Sequence, residues 1–155
     1  MNKNIKKLTI ILFFIILGCG YKPIFKNDYQ FSINALNLKG DDVVNSIISE
    51  KFQLLTTINK KLNYDLNVET ELNKKIISKD SKGDPLIFEI LIKADIEIIK
   101  QDKKLLGRNI QKRNTYNNIS DKFELEKFED ILIENLSTNI SMDIISIVSN
   151  FANDN

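Results

Sequence analysis

Few residues in this 155-residue chain have chemistry to offer, and the foremost is Cys19, its single cysteine. It follows Ile16-Leu17-Gly18 at the end of an apolar run, Leu8 to Leu17, interrupted by Thr9 alone. Lys3, Lys6 and Lys7 make a basic start ahead of that run. A charged start, a short apolar core and a small residue before the cut spell a secretory signal peptide. The run is too short to span a membrane, which takes about 20 residues. A cysteine just after the small residue is where a bacterial lipobox places the thiol that receives a diacylglyceryl group and becomes the new N-terminus. These residues predict cleavage after Gly18 and a lipid anchor on Cys19. The plainer alternative is an ordinary signal peptide with an incidental cysteine. One cysteine permits no intrachain disulfide framework, and acylation removes a thiol exposed to an oxidising compartment.

The chain has no histidine. Ser-His-Asp and Cys-His arrangements and His-ligated zinc sites are therefore excluded. A carboxylate pair of the glycosidase type remains open, from Asp41 with Asp42 or Glu69 with Glu71. The first pair follows Gly40 and precedes a helical pattern, where carboxylates cap helix N-termini. The second pair sits two residues apart on a strand pattern and so shares one polar, solvated face. Five scattered glycines make no phosphate-binding loop. We expect no enzyme, no metal and no cofactor.

Stepping along the chain, removal of residues 1–18 from 155 leaves 137, the size of one domain. That leader holds three of the 22 basic residues and none of the 21 acids, so the remainder has a net charge of −2. Near-balance argues against a nucleic-acid binder, which carries a basic excess. We expect a lipoprotein signal peptide at 1–18, a lipidated tether at 19–28 and a single domain at 29–155.

Within that domain, residues 29–38 alternate apolar Tyr29, Phe31, Ile33 and Ala35 with polar neighbours and predict a strand. Residues 42–58 predict a helix, with Val44, Ile47, Ile48, Leu55 and Ile58 on one face and Asn59-Lys60-Lys61 ending it. Alternation over 62–79, 86–99 and 105–117 predicts three more strands. The turns between them are Ser81-Lys82-Gly83-Asp84-Pro85 and Gln101-Asp102-Lys103-Lys104. A helix follows over 122–150, opened by Asp121 and Glu124 in a capping-box spacing. Its apolar stripe runs through Leu125, Phe128, Leu132, Leu136, Ile140, Ile144, Ile147, Val148 and Phe151. One apolar face per element predicts an α+β fold, βαβββα. This is a four-stranded, mostly antiparallel sheet with two helices packed on one face.

Cys-Gly-Tyr-Lys-Pro-Ile-Phe at 19–25 resembles the mature start of the LPS-assembly lipoprotein (LptE) family, in particular its alphaproteobacterial branch. The resemblance continues in a hairpin closing on Arg113-Asn114-Thr115-Tyr116-Asn117, followed by the acidic Phe123-Glu124-Leu125-Glu126 that opens the last helix. It covers the mature chain by layout and about 20 residues by motif. The last helix departs from the family in carrying Ile, Asn and Ser where Arg- and Ala-rich runs are usual.

The resemblance implies a lipid-anchored, non-enzymatic protein at the periplasmic face of the outer membrane. Such a protein plugs a large β-barrel, the translocon LptD, and assists lipopolysaccharide insertion; here the edge of the sheet and its hairpin tips, Ser81 to Pro85 and Gln101 to Lys104, would lie inside the barrel. Gly20 after the cysteine agrees, since an aspartate there would resemble an inner-membrane retention signal. Other outer-membrane accessory lipoproteins, such as a secretin pilot or a barrel-assembly factor, remain alternatives, as does a lipid-anchored carboxylate enzyme acting on cell-wall glycans. In this light the basic segment from Lys100 to Arg113 is a candidate for lipopolysaccharide phosphates. Its cations are Lys103, Lys104, Arg108, Lys112 and Arg113 beside Lys100, with Asp102 the single acid. Arginine binds phosphate as a fork and lysine as a point charge. The competing reading is a solvated hairpin whose cations guard an edge strand.

Overall fold

The computed structural model describes residues 31–56 and 62–154. The signal peptide, Cys19, the tether and the Asn59-Lys60-Lys61 stop lie outside the described residues. Six elements follow in the order β1 (Phe31–Gly40), α1 (Asp42–Thr56), β2 (Leu62–Lys79), β3 (Pro85–Lys100), β4 (Lys103–Asn117) and α2 (Lys122–Asn153). The strands form one sheet in the order β1-β2-β3-β4. β1 runs parallel to β2, and the other neighbours are antiparallel. Parallel strands need a crossover, and α1 supplies it. This is the expected α+β architecture, with helix and strand ends displaced by a few residues.

Alternation on β3 generates the core. Ile90, Ile92, Ala94, Ile96 and Ile98 are all buried, and so are Leu66 and Val68 beside them on β2. Both helices cover that side, α1 against β1 and β2, α2 against β3 and β4. The row changes character at the β2–β3 turn, where Leu86 is 47% exposed.

β1 departs from simple alternation. Its register slips between Ile33 and Ala35, leaving Asn34 as an extra residue. A one-residue insertion exchanges the two faces of a strand. Phe31 and Ile33 are buried as expected, but beyond the bulge Leu36 and Leu38 join the core margin opposite Leu66 and Val68. Ala35 instead pairs with Asp65 on the other face. The bulge thus places two leucines where unbroken alternation would place Ala35 and Asn37, and so buries more apolar area.

The β1–α1 corner is built on Gly40 and Thr70. Gly40 has φ +99°, and a Cβ there would stand 1.9 Å from the Thr70 carbonyl oxygen. Asp41 N–H donates to Thr70 Oγ1 at 3.1 Å, and Thr70 Oγ1 donates to Asn45 Oδ1 at 2.8 Å. The Asp41 carboxylate accepts from Val44 N–H at 3.0 Å, so this acid caps α1.

At the start of α2 the Asp121 side chain accepts from Phe123 N–H at 2.9 Å and Glu124 N–H at 3.2 Å. The helix has 32 residues, about 48 Å at 1.5 Å per residue. Its buried line is Leu136, Ile140, Ile144, Val148 and Ala152, joined by Ser137 and Ser141. Ser141 Oγ donates to Ser137 O at 2.8 Å, one turn back, so its hydroxyl is satisfied inside the helix. Leu125, Leu132, Ile147 and Phe151 pack at the core margin, whereas Phe128 is exposed.

The sheet has two distinct ends. Phe31 pairs with Leu62, and the Phe151 ring meets Tyr64 edge-on at 5.7 Å. The β3–β4 turn falls at this same end, since Asp65 pairs with Ile99. The β2–β3 turn and the start of α2 lie at the far end. Eighteen residues of β2 set the ends about 60 Å apart at roughly 3.3 Å per residue. The two hairpin tips expected to enter a barrel together therefore point in opposite directions, as successive turns of antiparallel strands must.

Gly40→Ala is expected to destabilise the domain by about 2–4 kcal/mol. Gly83→Ala, with positive φ but open space around it, should cost about 1 kcal/mol. Urea denaturation of the two variants measures the difference, and equal midpoints would contradict the corner assigned to Gly40 and Thr70.

Candidate functional site

The basic hairpin begins at a two-residue turn. Gln101 and Asp102 have φ of 51° and 61°, and Lys100 faces Lys103 across it. Positive φ at both central residues is the hairpin turn whose twist matches its strands. A register slip follows, so that Leu105 has no partner opposite it. Beyond it the cations separate. Arg108 and Lys112 pair with Ile96 and Ile92, on the side the helices cover, while Arg113 pairs with Leu91 on the opposite side. Arg108 and Arg113 are five residues apart, about 17 Å along the strand.

Two of the five cations are already engaged. Lys104 lies 2.5 Å from the Glu97 carboxylate and Lys112 lies 2.6 Å from that of Asp143. The hydrogen bond from Lys104, reinforced by its charge, holds the Glu97 carboxyl below its ordinary value. Lys100 reaches over the Tyr64 ring, 5.7 Å from its centroid. Arg108 donates to Gly107 O at 3.2 Å. Arg108 and Arg113 have no carboxylate partner among the described residues, and Lys103 is exposed without one. Strand parity thus puts Arg113 on the face opposite Arg108 and Lys112, and Lys104 and Lys112 each already have an acid partner. The neutralising acids Glu97 and Asp143 come from outside the segment, where reading along the chain did not find them.

The carboxylate pairs also resolve. Asp41 is the α1 cap. Glu69 and Glu71 share the face opposite the helices with a row of polar partners. Glu71 lies 3.0 Å from Lys93, and hydrogen bonds from Asn73 and Lys93 lower its carboxyl. Glu69, Asp95 and Glu97 border an open concavity of about 690 Å³. There Asn37 donates to Asn67 at 2.9 Å and Asn109 to Asp95 at 2.8 Å. Asp95 and Glu97 thus face neutral or cationic partners. Among the described residues no group of three or more acids, cysteines or histidines is placed to hold a metal ion.

The far end carries the more organised cluster, which sequence reasoning missed. Tyr116 OH donates to Glu129 at 2.7 Å, and Lys74 approaches the same carboxylate at 2.6 Å. Burial, and then the Glu129 carboxylate, push the Tyr116 phenol above its ordinary value. Phe88 stacks on Tyr116 at 5.6 Å, Phe128 meets Tyr116 at 5.8 Å, and Lys74 covers Phe88 at 5.0 Å. Asn118 ties the loop before α2 to β3 through its N–H to Leu86 O at 2.8 Å and its side chain to Pro85 O at 2.9 Å. Around this cluster Ile76, Ile77, Leu86, Phe123 and Phe128 are exposed. This ledge of exposed apolar residues comes from the ends of β2 and β3 and from the first two turns of α2. A signal for it lies in the sequence: apolar residues flank the turn at Ile76-Ile77 and Leu86-Ile87.

No family model and no curated protein matches the chain. Similarity appears among solved structures. Rare lipoprotein B from Shewanella oneidensis aligns over 77% of this chain and 98% of its own, with TM-score 0.59 and 15% identity. Lipoprotein B from Nitrosomonas europaea aligns over 86% and 93%, with TM-score 0.60 and 17% identity. A minor lipoprotein from Acinetobacter baumannii aligns over 80% and 93%, with TM-score 0.57 and 15% identity.

Two predictions follow from the geometry. Glu97 should titrate below a normal glutamate, and Lys104→Met should return it towards the usual value, as read by NMR. A carboxyl lowered in the folded state stabilises above its unfolded value. That contribution is lost as pH falls through the folded value, so the variant should lose less stability on acidification. Glu129→Ala should cost about 1–3 kcal/mol by leaving the buried Tyr116 hydroxyl without its acceptor, whereas Lys74→Met, at an exposed ammonium, should cost under about 1 kcal/mol. Thermal denaturation of both variants separates the two. The domain has the fold of these bacterial lipoproteins.

Proposed function

We propose that this chain is an outer-membrane lipoprotein, anchored through Cys19 at the periplasmic face, that seats in the LptD barrel and assists lipopolysaccharide assembly without catalysing a reaction. The observation that carries this reading is the polarity of the molecule. The chain from Cys19 enters the domain at Phe31, and the exposed apolar ledge stands at the opposite end of the sheet. An apolar patch of this kind marks a surface that a partner covers. The start of the chain, Cys-Gly-Tyr-Lys-Pro-Ile-Phe, and a fold shared with bacterial lipoproteins support the same assignment.

Of the two hairpins, the β2–β3 tip is the one that reaches away from the tether and would enter the barrel. Its turn is rigid: the Asp80 carboxylate accepts from Lys82 N–H at 2.8 Å and Asp84 N–H at 2.9 Å. The proposed role in lipopolysaccharide insertion rests first on barrel association; Lys103, Arg108 and Arg113, which have no acid partner among the described residues, are the cations left for its phosphates.

Detergent extracts should yield the chain one-to-one with a large barrel. Leu86→Asp with Phe123→Asp should abolish that association while leaving the domain folded, since both side chains are exposed. Cys19→Ser should abolish incorporation of labelled palmitate and release a folded domain from the membrane, because stable anchoring needs at least two acyl chains. A chain that never migrates with a barrel, or a Cys19→Ser variant that stays in the membrane fraction after a salt wash, would contradict the proposal.

A further inference from the structure

We propose that the outer edge of β4 accepts an extended acidic segment of a partner protein as a fifth strand. This inference is independent of the barrel reading, since it concerns the edge of the sheet and not the far-end ledge. β4 is the last strand in the sheet order, and among the described residues no strand pairs with its outer side. It is 15 residues long and contains no proline. α2 packs against β3 and β4, and most β4 side chains are exposed. A row of unpaired backbone donors and acceptors of this length is a template for another strand.

Charge decides what the template admits. β4 carries Lys103, Lys104, Arg108, Lys112 and Arg113 and no acid. Like charges directly opposite each other destabilise a strand pair, so two copies of β4 repel each other. The chain's own tether suits the edge no better, since Lys22 and Lys26 outnumber Asp28 there. Cations that guard an edge against basic and self-pairing strands are attractive to an acidic one, so the guard also acts as a filter.

The covered face gives the complementary pattern. It runs Leu106, Arg108, Ile110 and Lys112 at every second residue. Leu106 and Ile110 are half-buried at the core margin, so an added strand would complete their burial. Lys112 already has Asp143, whereas Arg108 has no acid. The fitting segment therefore places an acid opposite Arg108 between two apolar residues at alternate positions, and a second acid on the other face opposite Arg113. The two arginines point to opposite faces, which suits a strand partner, since a strand presents side chains on both.

The test uses the full lipidated chain in detergent and a capped peptide of about ten residues, a typical strand length or longer. In it valine and glutamate alternate on one face, with threonine and one glutamate on the other. Its counterpart has lysine for every glutamate. The acidic peptide should slow hydrogen exchange of β4 amides and not of the β1 edge, and raised salt should weaken the effect at least about tenfold. The lysine peptide should have no effect. Arg108→Glu with Arg113→Glu, at exposed positions, should exchange the two preferences. No added protection of β4 at millimolar acidic peptide, protection that maps elsewhere, or a double variant that keeps the original preference would each overturn the proposal.

Discussion

The structure depends on the one-sided burial of β3. Ile90, Ile92, Ala94, Ile96 and Ile98 lie along the middle of the covered face, all buried. Each fully buried isoleucine contributes about 1.5–3 kcal/mol relative to exposure. Side chains alternate strictly along a strand, so this row fixes which residues of β2 and β4 face the helices and which face away. α1 and α2 then have a single apolar surface on which to lie. The β1 bulge is a consequence of the same constraint, since it shifts Leu36 and Leu38 to the side where Leu66 and Val68 already are.

That constraint also shapes everything available for function. With both helices on one side, the opposite face becomes a polar ladder of Asn37-Asn67, Asp95-Asn109 and Glu71-Lys93 pairs. Strand parity divides the cations of β4 between the two faces, and the local acids Glu97 and Asp143 neutralise two of them. Towards the β2–β3 turn the row of buried side chains gives way to exposed ones, from Phe88 to Leu86, and becomes the ledge. The polar cluster of Tyr116, Glu129 and Lys74 closes the core where the ledge begins.

Much of this was legible in the sequence. The long alternations of β2 and β3 and the helical stripe of α2 are strong periodic signals, and they fixed the element order and the covered face. What remained hidden depends on contacts between distant segments. Nothing local to Asn34 announces a bulge; it follows from the match of Leu36 and Leu38 to β2. Ser137 and Ser141 are buried although polar, with the Ser141 hydroxyl satisfied within the helix, and the apolar stripe alone does not announce it. Spacing along a chain does not show which acids fold against it, so the pairing of Lys104 with Glu97 and of Lys112 with Asp143 was not legible in the basic segment. The ledge went unread because exposure depends on which residues of distant elements cover one another.

Photo-crosslinking from the ledge tests the central claim most directly. If the chain seats in a barrel as proposed, a photoreactive residue at Phe123, in the full chain expressed in cells, should capture that barrel in high yield. The same residue at Gln101, at the opposite end of the sheet, should capture much less of it. Equal capture at the two positions, or none at Phe123, would contradict the account.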